Sequence, residues 1–142
     1  MVAYSFQKQF APPIATGTKA QTIRAPRKRH AKVGEAIQLY QGMRTKHCKK
    51  IIADPICIRS HPIRMFIGAD NILSIGRPDL ETFIVLPSSK RAFAQNDGFE
   101  TIEDMHQFWK RNHGEGLFIG QLIVWSEGLR VDWTGNKAGG QL

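Results

Sequence analysis

The sequence has no long apolar run and few cysteines, and each shortage excludes a class of protein. Residues 83–86 and 122–125 are among its longest apolar stretches, far shorter than the ~20 residues of a membrane-spanning helix. The first residues lack the charged start and the long apolar block of a signal peptide. Two cysteines, Cys48 and Cys57, are too few for a disulfide framework. We therefore expect a cytoplasmic protein with reduced thiols and no membrane segment.

Acidic residues are scarce in the first half of the chain. Residues 1–64 contain 13 Lys and Arg but two Asp and Glu, a balance of +11, whereas residues 65–142 contain seven against ten, a balance of −3. Positive charge that only kept the protein soluble would not need this uneven placement. The asymmetry indicates a polyanionic partner, such as RNA or a nucleotide-like ligand.

Potential metal ligands occur without a strong metal-binding pattern. His47, Cys48, Cys57 and His61 follow one another along the chain, but their spacing matches no strong zinc signature. Both cysteines are interpreted instead as small buried apolar side chains. The sequence predicts no metal and no cofactor.

Short segments rich in β-branched and aromatic residues dominate the chain. Alternation of apolar and polar residues in several of them is typical of strands that have one buried face. The predicted strands are 2–6, 21–24, 36–40, 63–67, 71–75, 82–86 and 118–125, with one or two more within 48–58.

Helical periodicity is clearest over residues 101–112. Thr101 is placed to cap the first turn, and Gly114 follows the last turn. A short helical turn is also predicted at 14–17. The apolar residues of the longer helix share one face: Ile102, Met105, Phe108 and Trp109.

The length and these elements predict one domain. Many short strands with few helices indicate an α+β domain, a small β-barrel with one or two flanking helices. We assign this domain to residues 1–127 and expect it to be a monomer. Residues 128–142 are rich in glycine and polar residues, so we predict a flexible C-terminal tail that includes Trp133.

The most informative segment for chemistry is residues 17–24, a turn followed by a predicted strand. Thr22 and Arg24 share one strand face because side chains repeat every second residue, and Lys19 precedes them in the turn. Two cations and a hydroxyl suit an anion, a phosphate or a polarised carbonyl. The spacing alone favours a solvated strand edge, with Lys19 and Arg24 as solubilising charges.

Two basic runs flank the strand predicted at 36–40. They fit contacts with the phosphates of a nucleic acid, although a mobile charged loop has the same composition. Tyr40 is interpreted either as a platform for a base or as a core residue. With Arg24, the candidate nucleic-acid-binding residues are Arg27, Lys28, Arg29, Lys32, Arg44 and Lys46.

Several of these motifs together resemble the ASCH domain. The resemblance rests on residues 5–10, on Gly17-x-Lys19-x-x-Thr22-Ile23-Arg24, on 34–40, and on Asp97-Gly98-Phe99 before the helix and the last strand. It covers roughly residues 2–126. ASCH domains have a PUA-like fold and are taken to bind RNA. One branch hydrolyses N4-acylated cytidine, and ribonuclease activity is associated with the family.

The resemblance implies a catalytic site around the K-x-x-T motif. In the amidohydrolase branch, its lysine and threonine act with a glutamate near the last helix. Lys19 and Thr22 match, but the glutamate has no clean counterpart, and Asp97 or Glu100 is the nearest acid. We prefer Asp97, which precedes Gly98 in a predicted turn, although a plain turn residue is an equal reading. The predicted function is RNA or nucleotide binding in a basic cleft; amide hydrolysis or ribonuclease activity is the alternative.

Overall fold

The computed structural model describes residues 2–135. Its strands are β1 Val2–Phe6, β2 Gln21–Arg24, β3 Ile37–Gln41, β4 Lys49–Lys50, β5 Arg59–Ile67, β6 Ile72–Arg77, β7 Thr82–Ile84, β8 Gly116–Val124 and β9 Trp133–Gly135. Its helices are a 3-10 turn at Lys8–Phe10, α1 Ala11–Thr16, α2 Pro87–Asn96 and α3 Ile102–His113.

The strands pair into two sheets. In the smaller sheet, β1 runs parallel to β3, and β3 runs antiparallel to β4. The larger sheet has the order β2-β8-β5-β6-β7-β9 and is antiparallel throughout. The predicted α+β class is therefore confirmed. Within residues 2–135 the pairings form no closed barrel, so the predicted barrel is not confirmed.

The core lies between the sheets and the helices, and alternation along β5 shows how it is built. Ile63, Met65 and Ile67 are buried, whereas Arg64 and Phe66 between them are exposed. Successive strand side chains point to opposite faces, so one face of β5 packs inward. Burial of such apolar side chains provides the main stabilisation of the fold.

The local sequence predicts α3, but it does not predict α2. In α3, the hydroxyl of Thr101 accepts a hydrogen bond from the Asp104 amide at 3.0 Å, as predicted for the cap. Helix α2 was not predicted. Its buried Ser89, Ala92, Phe93 and Asn96 fall at helical spacing, but Ser89 and Asn96 are polar, so the apolar residues alone show no periodicity. Pro87 at the start of the helix is the remaining local signal.

The segment 48–58 contains less strand than predicted. Strand β4 covers Lys49–Lys50, and a single bridge joins Ala36 to Ile56. Cys57 is buried as predicted, but Cys48 is exposed. Polar and proline residues interrupt the segment, so it cannot continue a ladder of hydrogen bonds.

The prediction of a flexible tail is wrong for residues 128–135. Trp133–Gly135 forms β9, which pairs with β7. The Asn96 side chain also holds Leu129 twice: its Oδ1 accepts from the Leu129 amide at 2.7 Å, and its Nδ2 donates to the Leu129 carbonyl at 2.8 Å. Specific pairing of this kind overrides the loop-like composition. The rest of the predicted tail lies outside the described residues.

Candidate functional site

Lys19 and Asp97 are brought together by the ends of two helices. Helix α1 ends at Gly17, whose φ of 87° lies in the left-handed region that glycine favours. The chain then turns into β2, and the Ala20 amide donates to the Asn96 carbonyl at 2.7 Å. Asp97 is the C-cap residue of α2. This contact fixes the start of β2 against the end of α2.

Gly98 makes this close approach sterically feasible. Its φ is 98°, and a Cβ at this position would lie 2.9 Å from Cδ of Lys19 and 3.2 Å from Cδ1 of Phe10. Any larger residue would therefore push the Lys19 side chain away from Asp97. The Asp97-Gly98 turn predicted from the sequence thus positions the lysine as well as the carboxylate.

Lys19 and Asp97 form an ion pair that is almost completely buried. Lys19 Nζ lies 3.8 Å from Asp97 Oδ1 and donates a hydrogen bond to the Asp97 carbonyl oxygen. Gln21 Nε2 approaches the same Oδ1 at 3.5 Å. Burial lowers the pKa of Lys19 to about 8 and raises the pKa of Asp97 to about 6, each against the opposing attraction of its partner.

The hydroxyl of Thr22 is oriented by Arg24, not by Lys19. Arg24 Nε donates to Thr22 Oγ1 at 3.0 Å, and Arg24 Nη2 donates to the Ser5 carbonyl at 2.7 Å. Burial lowers the pKa of the Arg24 guanidinium. Within residues 2–135 no hydrogen bond joins Thr22 to Lys19. No direct contact therefore supports the predicted activation of Thr22 by the lysine.

Cations and aromatic rings alternate beside β1. Lys19 Nζ lies 5.6 Å from the Phe6 ring centre, and Arg24 lies over the same ring at 4.7 Å. Arg24 is also 5.3 Å from the ring of Tyr4, and Arg27 covers that ring at 4.5 Å. Stacking on aromatic faces supports guanidinium groups without a carboxylate partner. A continuous cationic track therefore runs from the buried lysine to the surface.

Lys19, Arg24 and Phe6 from this track line a cavity of about 220 Å³, hereafter the Lys19 cavity. Lys19, Thr22, Arg24 and Asp97 all contribute to its wall, and helix α3 supplies a largely aromatic wall. Within that wall, Trp109 is buried and its Nε1–H has no hydrogen-bond partner. A buried donor without an acceptor is destabilising, and this one belongs to a residue of the cavity wall.

The structure distinguishes the two acids that the sequence left open. Asp97 is 4% exposed and lies in the Lys19 cavity. Glu100 is exposed and is not part of the wall of that cavity. The three residues predicted as catalytic, Lys19, Thr22 and Asp97, thus lie around one cavity, while their chemical roles stay predictions.

The first basic run forms an ordered surface loop. Arg27 donates to the Ala3 carbonyl at 3.2 Å, and Arg29 forms an ion pair with Glu35. Lys28 is exposed. Arg27 and Lys32 also border a surface cavity of about 410 Å³. The prediction of an exposed basic loop is confirmed, but the loop is held by specific contacts.

The second basic run lies on the other side of Ser5. The Met43 amide donates to Ser5 Oγ at 3.0 Å, which ties the β3–β4 loop to the rim of the Lys19 cavity. Arg44 and Lys46 are exposed on this loop. Tyr40 is half-buried, and the ammonium of Lys50 lies 5.8 Å from its ring centre. Both basic runs therefore contact β1, the first at Ala3 and the second at Ser5, which lines the Lys19 cavity.

Sequence reasoning missed two polar groups of this site. Gln21 contacts the Asp97 carboxylate, although strand alternation places it on the face opposite Thr22. Trp109 was interpreted as a core residue; it is buried, but it also borders the cavity. Both contacts depend on the packing of α2 and α3 against β2, for which the local sequence carries no signal.

Comparisons with protein-family models, curated proteins and solved structures found no match to this chain. The resemblance to ASCH domains therefore stays a prediction. Within the described residues, no three His, Cys, Asp or Glu side chains are arranged to hold a metal ion. No helix of that part of the chain is long and apolar enough to cross a membrane.

Proposed function

We propose that the protein binds RNA or a nucleotide, with one base in the Lys19 cavity and phosphates on the adjacent basic loops. The observation that carries this proposal is the track of Lys19, Arg24 and Arg27 over the rings of Phe6 and Tyr4. The track leads from a cavity the size of a small ring system to an exposed cationic surface. Bases stack on aromatic and guanidinium groups, while phosphates pair with Lys and Arg.

The donors and acceptors of the cavity suit the edge of a base. Asp97 accepts a hydrogen bond and Arg24 donates one. We propose that the Trp109 Nε1–H, which has no partner among the described residues, donates to the ligand. An exocyclic amine beside a ring carbonyl presents the complementary pattern, as in cytosine. The K-x-x-T resemblance supports the same ligand class, and we propose on that ground that the chain is a PUA-like ASCH domain whose strands depart from a closed barrel.

The first test is binding of short single-stranded RNA and of cytidine monophosphate, measured by titration across a salt series. We expect RNA affinity to fall steeply with salt because bound cations displace condensed counterions. Lys19→Met should weaken binding of the monophosphate. Lys90→Met, on α2 but outside the wall of the Lys19 cavity, is the matched control. Absence of binding by the wild type at low salt contradicts the proposal.

Amide hydrolysis is the second candidate, favoured by the opposed pKa shifts of Lys19 and Asp97. In N4-acetylcytidine, water would add to the acyl carbon, the bond from carbon to N4 would break, and cytidine and acetate would leave. Asp97, with its raised pKa, suits the group that takes the proton from water. Lys19, with its lowered pKa, suits the group that gives a proton to N4. Thr22, held by Arg24, would position the water.

Release of cytidine from N4-acetylcytidine tests this chemistry directly. We expect Asp97→Asn and Lys19→Met to abolish release and Thr22→Val to reduce it, while Lys90→Met keeps full activity. If the wild type releases no cytidine above background, or if Lys19→Met matches the wild type, hydrolysis is excluded and binding alone remains. Ribonuclease activity stays a prediction from the family resemblance.

A further inference from the structure

A second cavity, of about 470 Å³, lies on the other side of β2. Gln21 lines it, whereas the next residue, Thr22, lines the Lys19 cavity, as expected from the alternation of strand side chains. Residues 126–131 and Trp133 form its outer wall. We name it the His61 cavity after its most buried histidine.

His61 lines this cavity, and one of its ring nitrogens has no hydrogen-bond partner among the described residues. The residue is 6% exposed, and its Nδ1 lies 2.9 Å from the Pro62 carbonyl oxygen. Because a carbonyl only accepts hydrogen bonds, Nδ1 carries the proton and Nε2 keeps its lone pair. Within residues 2–135, Nε2 has no hydrogen-bond partner. Burial lowers the pKa of the imidazole, which agrees with the neutral form.

Cations outnumber acids in the wall around this acceptor. Arg59, Arg77 and Arg130 line the cavity, and Glu127 is the one acidic residue among its lining residues. Arg59 pairs with Glu127 at 3.5 Å, and the partners of the other two arginines lie outside the lining. Ion pairs near the surface contribute little to stability. The exposed Arg59–Glu127 pair can therefore exchange its carboxylate for an anion at small cost. Arg77 keeps a bidentate pair with Asp79 and offers its remaining N–H groups.

Aromatic rings pack against His61 in the wall of the cavity. Trp133 meets the His61 ring edge-on, with ring centres 6.1 Å apart, and meets Phe93 in the same way at 6.0 Å. This packing holds the imidazole in one orientation and keeps water from its flanks. The result is a fixed acceptor at the bottom of a wall rich in guanidinium groups.

We propose that the His61 cavity binds a phosphate group that retains a proton. The P–OH donates to His61 Nε2, while the charged oxygens accept hydrogen bonds from Arg59 and Arg77. Guanidinium groups form strong charge-assisted pairs with phosphate oxygens. The site is distinct from the Lys19 cavity, and the ligand proposed for it is inorganic phosphate.

The lone pair on His61 Nε2 makes the proposed site selective among anions. Sulfate matches phosphate in shape and charge but has no proton to donate near neutral pH, so its oxygen would face the lone pair. A phosphodiester, the form found along an RNA backbone, also lacks the hydroxyl. The site is therefore expected to favour phosphate over sulfate and over dimethyl phosphate by about tenfold, since a mismatched buried acceptor loses its hydrogen bond.

The test is a titration of the full chain with inorganic phosphate, sulfate and dimethyl phosphate. Binding is measured by calorimetry and by the ¹⁵N chemical shift of the His61 imidazole. We expect phosphate to bind once per chain and to move the Nε2 resonance. His61→Phe should abolish the preference over sulfate, and Arg59→Gln should weaken phosphate binding about tenfold. Thermal melting establishes that each variant is folded.

One control variant locates the binding. Arg64→Gln removes an arginine from the opposite face of the same strand, and phosphate affinity should be unchanged in it. Equal binding of phosphate and sulfate by the wild type overturns the proposal, as does absence of a shift at His61. Arg59→Gln sits at an exposed position, so an unchanged phosphate affinity in this variant overturns the proposal even if His61→Phe does not fold.

Discussion

The Lys19 cavity and the His61 cavity lie on opposite faces of the short strand β2, yet the ion pairs in their walls differ in exposure to solvent. In the first, Lys19 and Asp97 are 3% and 4% exposed and have each other as ionic partners. In the second, Arg59 and Glu127 form a pair whose side chains are 45% and 81% exposed. Gln21 is the link, since it lines the second cavity and contacts the carboxylate of the first.

This difference separates two ways of holding a ligand. A buried pair carries a large desolvation cost, so neither charge can be released without a replacement. Such a pair suits recognition of a neutral polar edge, where hydrogen bonds are added and the charges stay. Exposed pairs are weak and exchange readily, so they suit binding of an anion. The two cavities are thus complementary in the ligands that they favour.

The largest effect is expected from breaking the buried pair. Asp97→Ala leaves the Lys19 ammonium buried without its partner, and we expect a loss of about 3–5 kcal/mol in the free energy of unfolding. Arg130→Ala removes an 89% exposed partner from the wall of the other cavity and should cost less than about 0.5 kcal/mol. Urea unfolding of both variants measures the contrast.

The double variant Lys19→Met/Asp97→Ala is the control for this comparison. Because it removes both charges, it should recover much of the stability that Asp97→Ala loses. If Asp97→Ala costs no more than Arg130→Ala, the two cavities do not differ in the way described.

Neutralising the first basic loop tests which cavity the nucleic acid uses. Replacing Arg27, Lys28 and Arg29 by Ala should lower affinity for single-stranded RNA between about tenfold and a hundredfold and reduce the slope of log K against log salt by about 2. Phosphate binding in the His61 cavity should not change. Filter binding and calorimetry make the two measurements.

A variant with the same charge change controls for net charge. Lys90, Arg91 and Arg111 lie on α2 and α3, outside the wall of the Lys19 cavity, and their replacement by Ala should leave the RNA affinity nearer the wild-type value. Equal losses in the two triple variants would show that RNA responds to total charge and not to the loop.

The pH dependence of stability reports the buried pair. The folded-state pKa of Lys19 is below its ordinary value, so the unfolded chain binds more protons between about 8 and 10.5, and stability rises with pH there. The pKa of Asp97 is raised, so the folded chain binds more protons between 3.8 and about 6, and stability falls as pH rises there. The pair therefore stabilises least between about 6 and about 8.

This dependence is measured against the variant Lys19→Met/Asp97→Asn, which has lost both titrations but keeps the remaining groups. The stability of the wild type relative to this variant should be lowest near neutral pH and higher by about 1–2 kcal/mol on either side. A flat difference across the range contradicts the assigned pKa directions.

The same contrast explains what the sequence could predict. Lys19 and Thr22 are close in the chain, and Asp97 is marked by the turn with Gly98, so local signals indicated most of the Lys19 cavity. The His61 cavity joins β5 to residues 126–133, and its order depends on the hold of Asn96 on Leu129. Such long-range pairing produces no periodic pattern in the local sequence. The glycine-rich composition of residues 128–142 predicted a flexible tail instead. Helix α2, the element that supplies Asn96, was missed for the same reason.

The smallest predicted effect concerns Trp109 and sharpens the assignment of the Lys19 cavity. Trp109→Phe keeps an aromatic ring in the wall but removes the Nε1–H that has no partner. If the ligand supplies the acceptor, affinity for cytidine monophosphate should fall about threefold to tenfold, the value of one hydrogen bond. Stability should fall little, because no protein hydrogen bond is lost. Trp125→Phe, a second buried tryptophan outside that wall, controls for loss of ring volume and should keep the affinity. Equal affinities in wild type and Trp109→Phe would mean that the ligand leaves this donor unpaired and that its carbonyl faces another part of the cavity.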